Sequence, residues 1–132
     1  MTAANTTPDP LRYTAEHEWV RENPDGTLTI GITHHAQDAL GDIVFVSLPT
    51  LGAAVVAGAS CGEVESTKSV SDIYNPVAGT VFEINGAVET NPEVINADPY
   101  GAGWLYTLTP TDTQAYSSLL TAADYRALIN EV

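Results

Sequence analysis

Residues 64–72 read Val-Glu-Ser-Thr-Lys-Ser-Val-Ser-Asp. Their two valines flank a small polar turn, as expected for two strands joined by a tight hairpin. Lys68 stands at the tip of that hairpin and is the only lysine of the chain. Lysine is normally among the commonest residues. The hairpin therefore predicts either an ordinary turn lysine in an acidic protein or an amine kept for a specific chemical use.

Short segments with strand character lie on both sides of this hairpin. Residues 27–32 alternate at the period of two that a half-buried strand shows. Residues 42–46, 79–84 and 104–108 are rich in side chains that favour strands, and a first strand is expected within 13–21. Turns that contain Pro or Gly separate several of these segments. Many short strands of this kind predict an all-β sandwich or a flattened barrel.

Two helices complete the expected architecture. Thr33 can cap a short helix over residues 34–40, and Gly41 has the position of the glycine that often ends a helix. Thr121 and Asp124 have the spacing of a capping box and predict a C-terminal helix. The predicted fold is therefore mainly β, with one short helix inserted and one helix appended.

Composition limits the partners that the chain can bind. Its 132 residues carry 17 Asp and Glu against four Lys and Arg, a formal net charge of −13. A negative field of this size repels nucleic-acid phosphates and anionic membrane surfaces, and it favours basic protein partners. No apolar run approaches the ~20 residues of a membrane-spanning helix. We expect no nucleic-acid partner, no membrane partner and a monomeric protein.

The length of the chain suits a single domain. Residues 1–11 are polar, contain proline and lack an apolar targeting core, so we expect a flexible tail there and one domain over 12–132. Cys61 is the only cysteine, which excludes an intramolecular disulfide and does not imply an oxidising compartment. We therefore expect a cytoplasmic protein. No Cys or His cluster has the spacing of a metal site, and we predict none.

A lysine that projects from a rigid hairpin can carry a swinging cofactor arm, and three kinds of arm can be weighed. Phosphopantetheine requires a serine, usually within Asp-Ser-Leu, and the chain has no such triplet. Biotinyl domains typically bracket their lysine with methionines, whereas Thr67 and Ser69 stand here. Lipoyl domains of 2-oxo acid dehydrogenases usually carry Asp-Lys-Ala, and Thr67 takes the place of that aspartate. An exposed amine is almost fully protonated near pH 7, so its acylation implies an attaching enzyme.

The segment around Lys68 resembles instead the lipoylation segment of the glycine cleavage system H-protein family. Residues 13–20, which read Tyr-Thr-Ala-Glu-His-Glu-Trp-Val, are similar to the opening strand of that family. The departures are small: Ser69 stands where alanine is commoner, and residues 1–11 have no counterpart. Further segments that resemble the family follow in the same order along the chain, and as a set they are highly specific. They extend the resemblance over nearly the whole chain, at 31–37, 40–49, 91–96, 99–104 and 118–125.

The resemblance implies a fold, a cofactor and partners. The implied fold is the flattened β-sandwich, or barrel-sandwich hybrid, of lipoyl domains. Lys68 is the implied site of lipoate, bound as lipoyl-lysine, and Glu65 and Ser69 belong to the hairpin that a lipoate-attaching enzyme would read. The carrier would have no turnover of its own. Its arm would take an aminomethyl group from glycine decarboxylase, pass it to the tetrahydrofolate-dependent aminomethyltransferase and be reoxidised by dihydrolipoyl dehydrogenase.

The resemblance also implies a surface cleft that protects the amine of the loaded arm from water. By motif match, Glu18 and Asp72 are the candidates to bind this amine through their carboxylates, and Glu16 is a weaker candidate. The competing interpretation is that all three are solvated surface acids.

Other functions remain open at this point. A lipoyl relay, which donates its group to 2-oxo acid dehydrogenase subunits, would use the same modified lysine. A noncatalytic adaptor would resemble a carrier and leave Lys68 unmodified. A Ser-His-Asp hydrolase is disfavoured, because residues 58–62 have only the spacing of a nucleophile motif and lie between predicted strands.

Overall fold

The computed structural model describes residues 7–8 and 10–129, and its secondary structure is mainly β, as the sequence predicted. The strands are β1 Arg12–Tyr13, β2 Glu18–Glu22, β3 Leu28–Ile32, β4 Ile43–Ser47, β5 Ala54–Val55, β6 Ser60–Ser66, β7 Val70–Tyr74, β8 Gly79–Ile84 and β9 Tyr106–Pro110. The helices are α1 His34–Leu40, α2 Gly86–Thr90, α3 Glu93–Ala97 and α4 Ala122–Leu128, with a 3₁₀ turn at Ala115–Ser118.

The strands form two antiparallel sheets that enclose one apolar core. Six strands make the larger sheet, in the order β1-β2-β3-β9-β8-β5, and three make the smaller sheet, in the order β4-β6-β7. Ile30 and Leu108 of the larger sheet share the core with Val64 and Ile73 of the smaller one. Burial of this apolar surface is the main source of stability for such a sandwich. The lysine hairpin projects from the smaller sheet, between β6 and β7.

One strand is more deeply buried than its alternating sequence predicted. We expected a half-buried strand over 27–32, but every residue of β3 is buried. The face of β3 turned away from the main core is also covered, because the Trp19 ring lies across Gly31 and leaves no room for a Cβ atom there. On the same face, the Asn23 side chain donates a 2.9 Å hydrogen bond to the Thr29 hydroxyl.

A second, smaller apolar cluster covers this outer face. The ring of Tyr125, in α4, stacks on that of Tyr13 with centroids 4.7 Å apart. Leu11 is buried in the same cluster, and the Arg126 guanidinium donates hydrogen bonds to Thr7. The packed part of the chain therefore includes residues that we assigned to the N-terminal tail. Residues 1–6 and 9 of that predicted tail lie outside the described residues.

Local capping signals predicted two helices correctly. The Thr33 hydroxyl accepts from the Ala36 N–H at the start of α1, and Gly41 ends it with a φ of +84°. Thr121 and Asp124 form the predicted capping box of α4. Helices α2 and α3 and the 3₁₀ turn were not predicted, because so few residues give no readable helical period. Strand β9 begins two residues later than the predicted 104–108. Among the described helices, none has the length and apolar character of a bilayer span.

Candidate functional site

The hairpin that carries Lys68 is fixed by the buried side chain of Ser66. The Ser66 Oγ accepts hydrogen bonds from the backbone N–H groups of Lys68, at 3.1 Å, and Ser69, at 3.0 Å. The Ser66 N–H and hydroxyl both donate to the Ser69 carbonyl, at 2.8 and 3.2 Å. Hydrogen bonds shielded from water are strong. The turn is therefore held by Ser66 and the backbone around it rather than by the lysine side chain.

The tip of the hairpin is also tied to the loop that follows α1. The Thr67 N–H donates to the Asp42 carbonyl at 3.1 Å. Asn96, in α3, holds this loop from the other side: its amide donates to the Gly41 carbonyl, and its Oδ1 accepts from the Ile43 N–H, both at 2.9 Å. The backbone that bears the lysine is thus linked to two helices.

The side chain of Lys68 is exposed, in contrast to this fixed backbone. Its stem lies over Gly41, where an added Cβ would come within 3.0 Å of the Lys68 Cε. Among the described residues, none pairs its charge with the Lys68 ammonium. The structure therefore presents this amine to solvent on a rigid base.

The other two hairpin residues singled out from the sequence have different surroundings. Glu65 stands between Phe45 and Val70 in one rung of the three-stranded sheet. Ser69 contributes to the turn through its backbone N–H and carbonyl, both bonded to Ser66, while its side chain is exposed. The serine at position 69 therefore has no structural role in the turn that an alanine could not fill.

Glu18, at the start of β2, is a buried carboxyl with a side chain only 1% exposed. Its Oε1 accepts a 2.6 Å hydrogen bond from the Thr14 hydroxyl, and its Oε2 accepts a 3.2 Å bond from the Tyr74 N–H. Burial raises the pKa of this carboxyl to about 8, although the two hydrogen bonds offset part of the rise. The carboxyl is therefore largely protonated at neutral pH unless a cation approaches it.

Asp72 and Glu16 are exposed acids at the same corner of the molecule. The Tyr74 hydroxyl donates to the Asp72 Oδ2 at 3.3 Å, so Tyr74 connects Asp72 with Glu18. The charge of Asp72 is the largest cause of a raised pKa of the Tyr74 phenol. The charge of Glu16 adds to the rise in the pKa of Glu18. We call Glu16, Glu18 and Asp72 the acidic corner.

The acidic corner lies along β7 from Lys68. Lys68 stands in the turn two residues before β7 begins, and the distances from Val70 to Asp72 and to Tyr74 are about 7 and 13 Å along the extended strand. The backbone geometry thus brings the three predicted acids together and leaves the lysine in the turn that precedes β7. A lysine side chain alone is too short to bridge the longer distance, whereas a lysine extended by an arm comes closer to it.

Sequence reasoning missed three residues that support these groups: Thr14, Tyr74 and Asn96. Thr14 and Tyr74 are near neighbours of predicted site residues, a signal that could have singled them out. Asn96 lies in a block that resembles the H-protein family, but the block gave no role for its side chain. Each of the three acts through hydrogen bonds that only the folded chain makes.

The structure gives no metal centre in the described ranges. Within residues 7–8 and 10–129, no group of three His, Cys, Asp or Glu side chains could hold a metal ion. The His34 ring shares a 3.1 Å hydrogen bond with the Gln37 side chain. The Cys61 thiol donates to the Ile73 carbonyl at 3.5 Å, and burial raises its pKa, as expected of a structural rather than a reactive cysteine.

Comparisons with known proteins agree with this description. The family model described as "Glycine cleavage H-protein" matches residues 11–132. A glycine cleavage system H protein of Mycobacterium avium is 55% identical over 128 residues, covering 94% of this chain and 97% of the relative. One of Neisseria meningitidis serogroup B is 52% identical over 122 residues, covering 92% and 95%.

A solved structure gives the same result. The crystal structure of a glycine cleavage system H protein from Mycobacterium marinum matches this fold with a TM-score of 0.85 and 49% sequence identity. The match covers 93% of this chain and 98% of that one, and it confirms the predicted barrel-sandwich fold. The chain belongs to the glycine cleavage H-protein family.

Proposed function

We propose that this chain is the lipoyl-bearing carrier of the glycine cleavage system, with lipoate bound as an amide to Lys68. The observation that carries the proposal is the hairpin itself. The only lysine of the chain stands exposed at the tip of a turn whose backbone is fixed by Ser66 and tied to Asp42. Membership in the H-protein family supports the same function.

The residues of the hairpin fit a covalently bound arm. When bound, lipoate supplies a disulfide that can take up and release a one-carbon amine. The protein supplies position: Ser66 and Asn96 hold the backbone around the attachment point, and Gly41 leaves room for the lysine stem. Acylation would remove the positive charge of Lys68, so the hairpin would then present only acidic charge.

The acidic corner is the proposed binding site for the amine of the cargo. Glu18 and Asp72 would accept from the ammonium, and Glu16 would contribute charge. An approaching ammonium favours the ionised form of Glu18, whose proton would leave to solvent. Thr14 and Tyr74 already hold both oxygens of the Glu18 carboxyl, so little reorganisation is needed.

Within the described part of the chain, Arg12 and Arg21 are engaged away from the acidic corner. The Arg12 guanidinium donates to the carbonyls of Ser117 and Leu119, and Arg21 lies over the ring of Trp19. Arg126 donates to Thr7. A cationic cargo would therefore supply a counter-charge that Arg12 and Arg21 do not.

The proposed partners follow from the family. They are glycine decarboxylase, the aminomethyltransferase, dihydrolipoyl dehydrogenase and a lipoate-attaching enzyme. Each must reach Lys68 or a group attached to it, and the net charge of −13 favours basic surfaces on all of them. We propose a monomer with no turnover of its own, located in the cytoplasm; size-exclusion chromatography and cell fractionation test the first and last of these.

Intact mass spectrometry with peptide mapping tests the attachment site. The purified chain is incubated with lipoate, ATP and a lipoate–protein ligase, and the mass is measured before and after. We expect one lipoyl amide, on the peptide that contains Lys68. If the mass does not change while the same ligase modifies a control lipoyl domain, the proposal is wrong and the adaptor alternative takes its place. A lipoyl-transfer assay with 2-oxo acid dehydrogenase subunits tests the relay.

Hydrolysis of the loaded form tests the acidic corner. We expect Glu18→Ala to accelerate the loss of the amine cargo from the arm by about tenfold, since a charge-assisted hydrogen bond stabilises by roughly 1.5–3 kcal/mol. Glu22→Ala, which removes an exposed acid from the other end of β2, is the matched control. Equal hydrolysis rates in the two variants would remove Glu18 from this role.

A further inference from the structure

The outer face of the three-stranded sheet exposes apolar side chains next to Lys68. Phe45 of β4 and Val70 of β7 flank Glu65 of β6 in one rung of the sheet, and they are 52% and 54% exposed. Val44, which precedes Phe45, is also 54% exposed. Single exposed apolar residues are normal, but a group of them beside a functional residue is typical of a binding surface. We call Val44, Phe45 and Val70 the apolar strip.

A β-bulge explains how the apolar strip reaches solvent. The register between β4 and β6 shifts between Ile43 and Phe45, so Val44 has no partner on β6. Because of this extra residue, two consecutive side chains of β4 are both exposed while Ile43 and Val46 on either side are buried. Bulges occur often where a strand re-aims side chains near a functional site.

Carboxylates border the apolar strip. Glu63 and Asp72 stand directly opposite each other in the β6–β7 register, and both are exposed. Like charges in this arrangement destabilise a sheet. None of the residues of β4, β6 or β7 is Lys or Arg. The face therefore has the apolar centre and polar rim of an interface, and the rim favours a cationic partner.

We propose that this face is the docking surface for the enzyme that forms the amide on Lys68. The enzyme would offer an apolar pocket for Phe45 and Val70, surrounded by lysine or arginine side chains that meet Glu63, Glu65 and Asp72. Docking in this position places the active site of the enzyme over the tip of the hairpin.

The geometry of amide formation favours the attaching enzyme as the partner that docks on this face. The Lys68 ammonium loses one proton to solvent, and its Nζ then attacks the acyl carbon of a nucleotide-activated lipoate. The C–N bond forms, the bond to the nucleotide breaks with the nucleotide as leaving group, and the nitrogen releases a second proton to solvent. The attacking atom lies only one side chain away from the hairpin backbone, and Val70 follows Lys68 by two residues. The attaching enzyme must therefore cover the hairpin and the sheet beside it. Enzymes that act on the finished arm meet their group farther from the backbone.

This inference rests on the proposed function, and kinetics of lipoate attachment separate the two. The rate of amide formation is measured by intact mass against the concentration of the unmodified chain, with lipoate, ATP and a lipoate–protein ligase. We expect Phe45→Ser to raise the KM for the chain about tenfold, as loss of an interface anchor does. Phe82→Ser, a substitution at a residue 53% exposed on the larger sheet, should leave the KM unchanged.

Two variants that each neutralise one carboxylate test the polar rim independently. Glu63→Gln should raise the KM about threefold and weaken its dependence on salt, while Glu83→Gln, in β8, should do neither.

Val70→Thr, a smaller change, replaces Phe45→Ser if thermal unfolding shows that the latter is not folded. A wild-type chain that gains no lipoyl group would overturn the proposed function. If the wild type is modified but the apolar-strip variant (Phe45→Ser or Val70→Thr) has the same KM as Phe82→Ser, the docking surface is wrong and the proposed function stands.

Discussion

The Lys68 hairpin and the acidic corner lie along one strand, β7, but place their functional groups in opposite environments. At the hairpin, hydrogen bonds hold the backbone and leave the lysine side chain exposed. At the corner, hydrogen bonds hold the Glu18 side chain itself, with both carboxyl oxygens bonded and nearly no exposed surface. The lysine side chain is exposed on a fixed backbone, whereas the Glu18 carboxyl is itself fixed and buried.

This difference matches the two tasks of a carrier. An attachment point must be accessible to several enzymes, so its side chain has to leave the fold. A receptor for the cargo must bind without reorganising, so its side chain has to be positioned in advance. The cost of the second arrangement is a buried carboxyl with a raised pKa, which the protein tolerates because Thr14 and Tyr74 bond it.

Lys68→Arg should have the largest effect, because it removes the only side chain that can form the amide. The charge remains, but a guanidinium is too weak a nucleophile under these conditions to be acylated. We expect complete loss of lipoate attachment, measured by intact mass, with an unchanged melting temperature. Attachment at another residue of the Lys68→Arg chain would contradict the assignment.

Glu18→Gln should abolish the fall in the free energy of unfolding that the wild type shows as the pH rises. The pKa of Glu18 is raised from an ordinary value of 4.5 to about 8, so between these values the folded state binds a proton that the unfolded state releases. The resulting stability is fully present below pH 4.5 and is lost as pH rises through 8, by up to about 5 kcal/mol.

Denaturant unfolding at pH 5 and pH 9 measures this pH-dependent stability as the difference between wild type and Glu18→Gln. The control is Glu22→Gln, whose exposed carboxyl should leave the wild-type pH dependence in place. A wild type and a Glu18→Gln chain that lose the same free energy of unfolding between the two pH values would show that the carboxyl is not effectively buried.

Ser66→Ala should loosen the hairpin while leaving Lys68 in the sequence. The Ser66 hydroxyl makes three hydrogen bonds within the turn, and at roughly 1 kcal/mol each their loss costs about 3 kcal/mol. We also expect slower lipoate attachment, because the ligase would meet a turn of several conformations. Ser71→Ala, which removes one exposed 3.4 Å contact, is the matched control and should change neither quantity.

Gly41→Ala should have the smallest effect on stability and a local effect on the lysine. Gly41 combines a φ of +84° with a ψ of −155°, a conformation that costs a residue with a Cβ at least about 1 kcal/mol. The new methyl group would also press on the Lys68 stem. Gly58→Ala, at a φ of +81° with no neighbour within 4 Å, controls for strain alone. If both variants slow lipoate attachment equally, the contact with Lys68 has no role.

Local signals in the sequence were enough for much of the fold. Thr33 and Gly41 mark both ends of α1, and strand β8 has the predicted bounds, because caps and strand-favouring side chains act over a few residues. Helices α2 and α3 could not be predicted in the same way. Their five residues each are too few for a periodic pattern.

The candidate site was predicted in part, for the same physical reason. Lys68 could be named because its hairpin is local in sequence. The burial of Glu18 could not be, since it depends on Tyr74, 56 residues away in the chain. Asn96 supports the loop at Ile43 across 53 residues, and no short pattern reports such a contact.

Reconstitution of glycine cleavage tests whether the arm on Lys68 carries the one-carbon unit. Lipoylated wild-type chain and Lys68→Arg chain are each combined with glycine decarboxylase, the aminomethyltransferase, dihydrolipoyl dehydrogenase and tetrahydrofolate, and glycine-dependent release of CO₂ is measured. We predict release that rises with the concentration of the lipoylated wild-type chain and background release with Lys68→Arg. Background release with a wild-type chain whose lipoylation has been verified by mass would contradict the carrier function.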